Sequence, residues 1–222
     1  DAGQPARGPF VAKLDPLLVE PEFSSAQSAG ADDIFAAIYR TQIELPKARR
    51  YEILIVSRVG TKLLGAPTVI SVTADSPVPE VGEAAPVVPT DTLESAGGDL
   101  EAIETRDPPD DLHRTSLDEV SGKLPVAVVF STPALCESRV CGPVLDLAVQ
   151  LEAEYGDRVE FIHQEVFVDN RPEQGFRPPL KAFGLPTEPW LFTLDEKGRV
   201  AARLEGSFGM NEMREALEAA LR

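Results

Sequence analysis

Cysteine is nearly absent from this chain of 222 residues, which holds two, Cys136 and Cys141. One pair and no stray thiol fits an oxidising compartment, although a cytosolic enzyme with one dithiol fits as well. Long apolar runs are missing too: none approaches the ~20 residues a membrane span needs. Basic residues are scarce, 21 against 37 acids, for a net charge of -16. That balance argues against DNA, RNA or an anionic membrane surface as partner. Histidine occurs twice, at His113 and His163, which limits any imidazole-based site. The chain opens at Asp1 with no signal-peptide pattern and reads as a mature or trimmed chain.

What is present is a 43% hydrophobic composition, enough for one or two ordinary domains. Charge divides the chain into three. Residues 1–74 carry 8 acids and 8 bases, residues 75–123 carry 13 and 3, and residues 124–222 carry 16 and 10. The middle stretch also holds six prolines and the adjacent Gly97 and Gly98, and reads as a linker or wrapping segment. The expected organisation is residues 1–74 as a small all-β unit, 75–115 as an acidic Pro-rich connection, and 116–222 as an α/β domain. In the first part, residues 34–39, 42–45, 51–56 and 68–73 are candidate strands between Pro and Gly punctuation, as in a small β-sandwich.

The last hundred residues read β-α-β-α-β-β-α. Residues 124–130 (Leu-Pro-Val-Ala-Val-Val-Phe) form the continuous apolar run of a strand buried on both faces. Val144, Leu147, Ala148, Leu151 and Tyr155 line one helix face after it. A second strand follows over 159–168. Residues 190–194 and 200–204 form a hairpin about Gly198. Asn211 is placed to cap a final helix with Met213, Leu217 and Leu221 on its apolar face. Ser116 and Glu119 form a capping-box pattern before the first strand.

Both cysteines fall between the first strand and its helix. A thiolate at a helix start is stabilised by unpaired amides and the helix dipole, so its pKa falls. Arg139, between the two, adds a positive charge. Three readings stay open: a redox dithiol, a structural staple of the helix start, or a metal site. Residues five apart can reach the ~5.5 Å Cα separation of a bridge. A loop that short gives modest entropic stabilisation, which argues mildly against a purely structural purpose. Glu165 and Glu188 sit at strand ends and are candidate proton acceptors.

The element order resembles the thioredoxin-like fold, a central mixed sheet flanked by helices. Residues 81–86 (Val-Gly-Glu-Ala-Ala-Pro), 116–123 (Ser-Leu-Asp-Glu-Val-Ser-Gly-Lys) and 184–195 (Gly-Leu-Pro-Thr-Glu-Pro-Trp-Leu-Phe-Thr-Leu-Asp) are similar to the secreted or membrane-anchored thiol oxidoreductases of the TlpA and ResA group. Residues 136–143 (Cys-Glu-Ser-Arg-Val-Cys-Gly-Pro) and 187–190 (Thr-Glu-Pro-Trp) resemble an actinobacterial group of thioredoxin-domain proteins. Residues 45–54 resemble the late hairpin of bacterial immunoglobulin-like modules, which implies an immunoglobulin-like sandwich before the α/β domain.

The resemblance implies an extracytoplasmic thiol–disulfide oxidoreductase. Cys136 attacks, Cys141 resolves, and Pro189 is a cis-proline that docks substrate backbone beside Glu188 and Arg139. No cofactor is implied, only a protein thiol or disulfide substrate and a redox partner. The chain departs from that pattern in its Cys-x4-Cys spacing and in Val129, which stands where thioredoxins bury an acid. The alternative is therefore a non-catalytic thioredoxin-fold module with a structural disulfide. A third reading, a Cu(I)-binding protein of the Sco type, needs a distant histidine. His163 lies mid-strand and His113 is expected to be exposed beside Asp110 and Asp111, and neither fits that loop.

Overall fold

The computed structural model describes residues 6–30 and 36–222. Contacts divide the chain into two units: Asp1–Val11 with Thr41–Ser76, and Ala12–Arg40 with Pro77–Arg222. This division departs from the expected boundaries. Residues 12–40 and 77–115 belong with the cysteine-bearing domain.

In the smaller unit, β3 (Arg50–Val59) and β4 (Lys62–Ser71) form one long antiparallel hairpin. Gly60, at φ 60°, takes the left-handed position of the two-residue turn. Among the described residues this is the unit's sheet, two strands rather than the two packed sheets of an immunoglobulin-like sandwich. Residues 42–45 form no strand, and of the run 34–39, Ile34 and Phe35 lie outside the described residues. Leu54, Ile55 and Val56 on β3 and Leu64 on β4 are each more than half exposed.

The larger unit is built around β5 (Val126–Phe130), whose five residues are fully buried. It pairs in parallel with β6 (Glu160–Gln164) and antiparallel with β7 (Trp190–Leu194). β8 (Val200–Glu205) completes the order β6-β5-β7-β8. Alternate side chains of β5 serve opposite layers, as the two-residue period of a strand requires. Ala127 and Val129 pack with α2 (Cys141–Tyr155) and α4 (Met210–Ala220). Val126, Val128 and Phe130 pack with Leu117 of the one-turn α1 (Leu117–Val120) and Leu180 of α3 (Pro178–Ala182).

The acidic stretch wraps both sheet edges instead of linking domains. Residues 82–85 bond to the β8 end through Gly82, Glu83 and Ala85. At the other edge the Leu112 carbonyl accepts the His163 amide, 3.1 Å away. Ile103 and Leu112 are buried, and so is His113 at 3% exposure, against the expectation that it lies free in solvent. A segment that covers an edge must bury its apolar side chains there, and it protects strand amides from foreign pairing. Ser116 precedes α1, but its hydroxyl accepts the Thr90 amide in place of the expected capping box.

Residues 12–40 contribute β1 (Lys13–Pro16) and β2 (Ala37–Arg40), a short hairpin against α4. The expected cap of α4, Asn211, lies inside the helix, and Gly209 is the N-cap. Capping comes from Asp15, 196 residues distant, whose carboxylate accepts the Asn211 amide at 2.8 Å and the Glu212 amide at 3.0 Å. Arg40 Nε, 2.9 Å away, balances its charge. A Cβ at Gly209 would overlap the Asp15 carboxylate, so glycine permits the close approach. Asp15→Ala should lower unfolding stability by about 2 kcal/mol in urea titrations. Gly209→Ala should also destabilise, and by less in the Asp15→Ala background, because the overlapping group is then gone.

Candidate active site

The loop from β5 to α2 holds the two cysteines, and their sulfurs are bonded, with Cα atoms 6.0 Å apart. The helix starts at Cys141, so of the two cysteines only Cys136 lies in the loop between strand and helix. Four intervening residues leave Cys136 in the turn before the helix, half-buried, with its sulfur 3.2 Å from Ser138 Oγ. Cys141 is fully buried, and its carbonyl accepts the Ser131 hydroxyl at 3.1 Å. Helix-start amides and the helix field therefore act first on Cys141. Arg139 is exposed and turns the chain at φ 59°.

β7 brings the third part. Its first residue, Trp190, pairs with Phe130 at the end of β5, and the preceding Glu188–Pro189 peptide is cis. Trp190 is core, 5.7 Å from the Phe192 ring. The same pairing sets Glu188 against the cysteines, with Oε2 3.6 Å from Cys141 Sγ. For a reduced thiol this is hydrogen-bond reach, given the larger radius of sulfur.

Burial pushes the Glu188 carboxyl up to about 7, with added repulsion from Glu165 and Glu137, while a backbone bond from Thr132 opposes the rise. Glu165 is itself fully buried and held above the ordinary carboxylate range by that burial. One of its oxygens accepts both the amide and the hydroxyl of Thr105, at 2.8 and 2.6 Å. Val129 stays apolar in the core. The acid beside the dithiol thus comes from the β7 approach rather than from beneath β5.

A cleft of about 300 Å³ opens on one side of the disulfide, walled by Leu135, Cys136, Phe167, Phe176 and Glu188. A second lies on the other side, between Gln27, Ala134, Arg139 and Gly142, and Cys136 lines both. Cys136, Cys141 and Glu188 form one close group. His113 and His163 gather elsewhere with Glu104 and Asp110, so no Cys2His set is assembled among the described residues. Sequence reasoning missed that second group; its signal was two histidines and two acids spread over sixty residues, with no local spacing to connect them.

The strand order, the dithiol after the first strand and the cis-proline before the third agree with one architecture. The domain has a thioredoxin-like fold. No protein-family model matches the sequence, and neither does any curated protein. Two solved structures from Chlorobium tepidum are similar over part of the chain. One is assigned as the thiol:disulfide interchange protein DsbE; it is 14% identical with a TM-score of 0.46, over 65% of this chain and 99% of that one. The other is a thiol:disulfide interchange protein of the thioredoxin family, 17% identical with a TM-score of 0.43, over 67% of this chain and 100% of that one. At these values no residue role passes from either to this chain.

The raised Glu188 pKa has a sign that can be measured. The folded state keeps this proton at a pH where the unfolded chain has lost it, so folding stability is greatest below the ordinary carboxylate range. It declines as pH rises toward about 7 and then levels. Urea midpoints of the oxidised protein between about pH 5 and 8 should show that decline, and Glu188→Gln should flatten it.

Proposed function

We propose that this protein is a thiol–disulfide oxidoreductase acting on protein substrates outside the cytoplasm. The observation that carries the reading is the asymmetry of the pair: Cys136 lines an open cleft, while Cys141 is buried at a helix start against Glu188.

In the reducing direction the Cys136 thiolate attacks one sulfur of a substrate disulfide. A Cys136–substrate disulfide forms and the first substrate thiolate leaves. Glu188 accepts the Cys141 proton, and the Cys141 thiolate attacks Cys136 Sγ. The internal disulfide forms, the second substrate thiolate leaves, and two electrons have passed to the substrate. The oxidising direction is the same sequence reversed. The walls formed by Phe167 and Phe176, with the backbone before Pro189, suit an extended apolar segment beside Cys136. Arg139 stands on the opposite rim, placed for acidic groups of the substrate. A single pair of cysteines with no spare thiol supports an oxidising compartment, and no cofactor is required.

Full burial of Cys141 and the four-residue spacing favour a second reading, a binding module in which the bridge is structural. Reduction potential separates the two. Equilibration with thiol buffers should give a value between about -120 and -270 mV, whereas one below about -300 mV would establish a structural bridge. In an insulin-reduction assay Cys136→Ser should abolish turnover, and Cys141→Ser should trap a mixed disulfide on Cys136. Glu188→Gln should slow the resolving step by about 100-fold at neutral pH. Equal turnover of Cys136→Ser and the wild type would refute the enzymatic reading.

A further inference from the structure

Four side chains meet in one buried place apart from the dithiol. Glu104, Asp110 and His113 come from the wrapping segment, and His163 from β6. None is more than 8% exposed. One donor atom of each lies within 4.8 Å of all the others. His163 Nδ1 is 3.0 Å from Asp110 Oδ2 and 3.4 Å from Glu104 Oε2. His113 Nε2 is 3.3 Å from the same Glu104 oxygen and 3.9 Å from Asp110 Oδ1.

The far side of each group is already engaged. His163 Nε2 faces the Ser131 carbonyl at 3.1 Å, and His113 Nδ1 faces the Asp91 carbonyl at 3.4 Å. A carbonyl only accepts, so those nitrogens carry the ring protons. In a neutral imidazole the other nitrogen then turns its lone pair to the centre. Glu104 Oε1 accepts the Arg106 amide at 2.6 Å, and Asp110 Oδ1 accepts the Leu112 amide at 2.9 Å. Such outer contacts fix tautomer and orientation in metal sites.

The centre-facing atoms differ. His163 Nδ1, His113 Nε2 and Asp110 Oδ2 are buried and make no hydrogen bond, being close to one another but out of line for one. Three unpartnered atoms from three residues facing one point are exceptional in a protein interior. With neutral rings the cluster carries two buried negative charges, a costly arrangement unless compensated. The nearby Arg106 guanidinium is committed to Asp146 at 2.9 Å. Three of the spacings, 3.0, 3.3 and 3.4 Å, are near the edge of a tetrahedron, roughly 3.3 Å for ligand bonds of about 2.0–2.1 Å.

We propose that Glu104, Asp110, His113 and His163 bind one divalent first-row transition-metal ion, with zinc the preferred occupant. Two imidazoles and two carboxylates form a borderline donor set that favours such ions over Cu(I) or calcium. The ion neutralises both carboxylates and fastens residues 104–113 to the β6 edge. With four protein donors the role is structural, and it does not depend on the redox reading.

The test uses the full chain with its disulfide oxidised, so that no thiol takes metal, stripped with a chelator and then titrated with Zn2+ and with Co2+. One equivalent should bind with a dissociation constant at or below about 10⁻⁷ M. The cobalt form should show the visible bands of a tetrahedral centre, and zinc should raise the thermal midpoint. His113→Gln and Asp110→Asn should each weaken binding by about 100-fold or more. If either variant fails to fold, the stoichiometry and cobalt spectrum of the wild-type chain still decide. The proposal is overturned if the wild-type chain takes up no stoichiometric zinc or cobalt, which would mark an imidazolium–carboxylate cluster. It is equally overturned if uptake is unchanged in both variants, which would mark binding at surface carboxylates.

Discussion

The Arg106–Asp146 ion pair is the constraint on which both sites depend. Asp146 sits on α2, five residues past Cys141, and is 1% exposed. Burial raises its pKa, while the hydroxyls of Ser28 and Ser25 and the Arg106 guanidinium resist that rise. Arg106 also donates to backbone carbonyls, 2.6 Å from Nη1 to Pro108 and 2.7 Å from Nη2 to Phe23. Three stretches distant in sequence thus converge on one charge pair. Such a pair adds little net stability over apolar packing, but losing one partner would strand a buried charge. What it supplies is placement. It seats residues 23–28 against the first turn of α2 so closely that a Cβ on Gly142 would lie 2.5 Å from Gln27. It also fixes the backbone two residues after Glu104, and with it one corner of the histidine cluster.

The parallel pairing of β5 and β6 explains why the two centres lie near each other without merging. Both strands run the same way, so the loops leaving them emerge at one end of the sheet, where α/β folds gather their ligands. Ser131, just past β5, has its carbonyl on His163 Nε2 and its hydroxyl on the Cys141 carbonyl. One residue therefore touches the supporting frame of each centre, while the groups face different ways: Cys136 toward the clefts, imidazoles into the interior.

Elements with a strong local signal were legible in the sequence. The apolar run of β5, the 3.6-residue stripe of α2, the β7–β8 hairpin and the proline before β7 each carry their cause within a few residues. The elements that depend on distant partners were not legible. The charges of residues 75–115 read as solvated because their partners stand far off: Asp146 is 40 residues from Arg106, and His163 is 50 from His113. The Asp15 cap on α4 is invisible for the same reason. The candidate site was half legible. Cys136, Cys141, Glu188 and Pro189 do come together, but that α2 starts at Cys141 was not legible, because the four residues between the cysteines form a turn of their own. The short strands between Pro and Gly punctuation suggested a sandwich, yet a strand signal says nothing of whether a second sheet covers it.

The start of α2 at Cys141 sets the electrostatics of the cysteine pair. With Cys141 at the helix start, the helix field favours its thiolate, while burial and an ionised Glu188 oppose it. Glu188 titrates near neutrality, so the balance changes with pH. When the carboxyl is neutral, burial alone opposes the helix field at Cys141. When it is ionised, one proton is shared between thiol and carboxylate, and the titration belongs to the pair. On the proposed reading this sharing takes over the task of the buried acid that Val129 lacks, since Glu188 receives the proton that must leave Cys141 before the mixed disulfide is resolved. Cys136, outside the helix, gains less from the field and keeps more of its intrinsic nucleophilicity, because a thiol loses nucleophilic strength as its pKa falls. The four-residue spacing thereby separates access from stabilisation, with the reachable sulfur on the turn and the stabilised one on the helix.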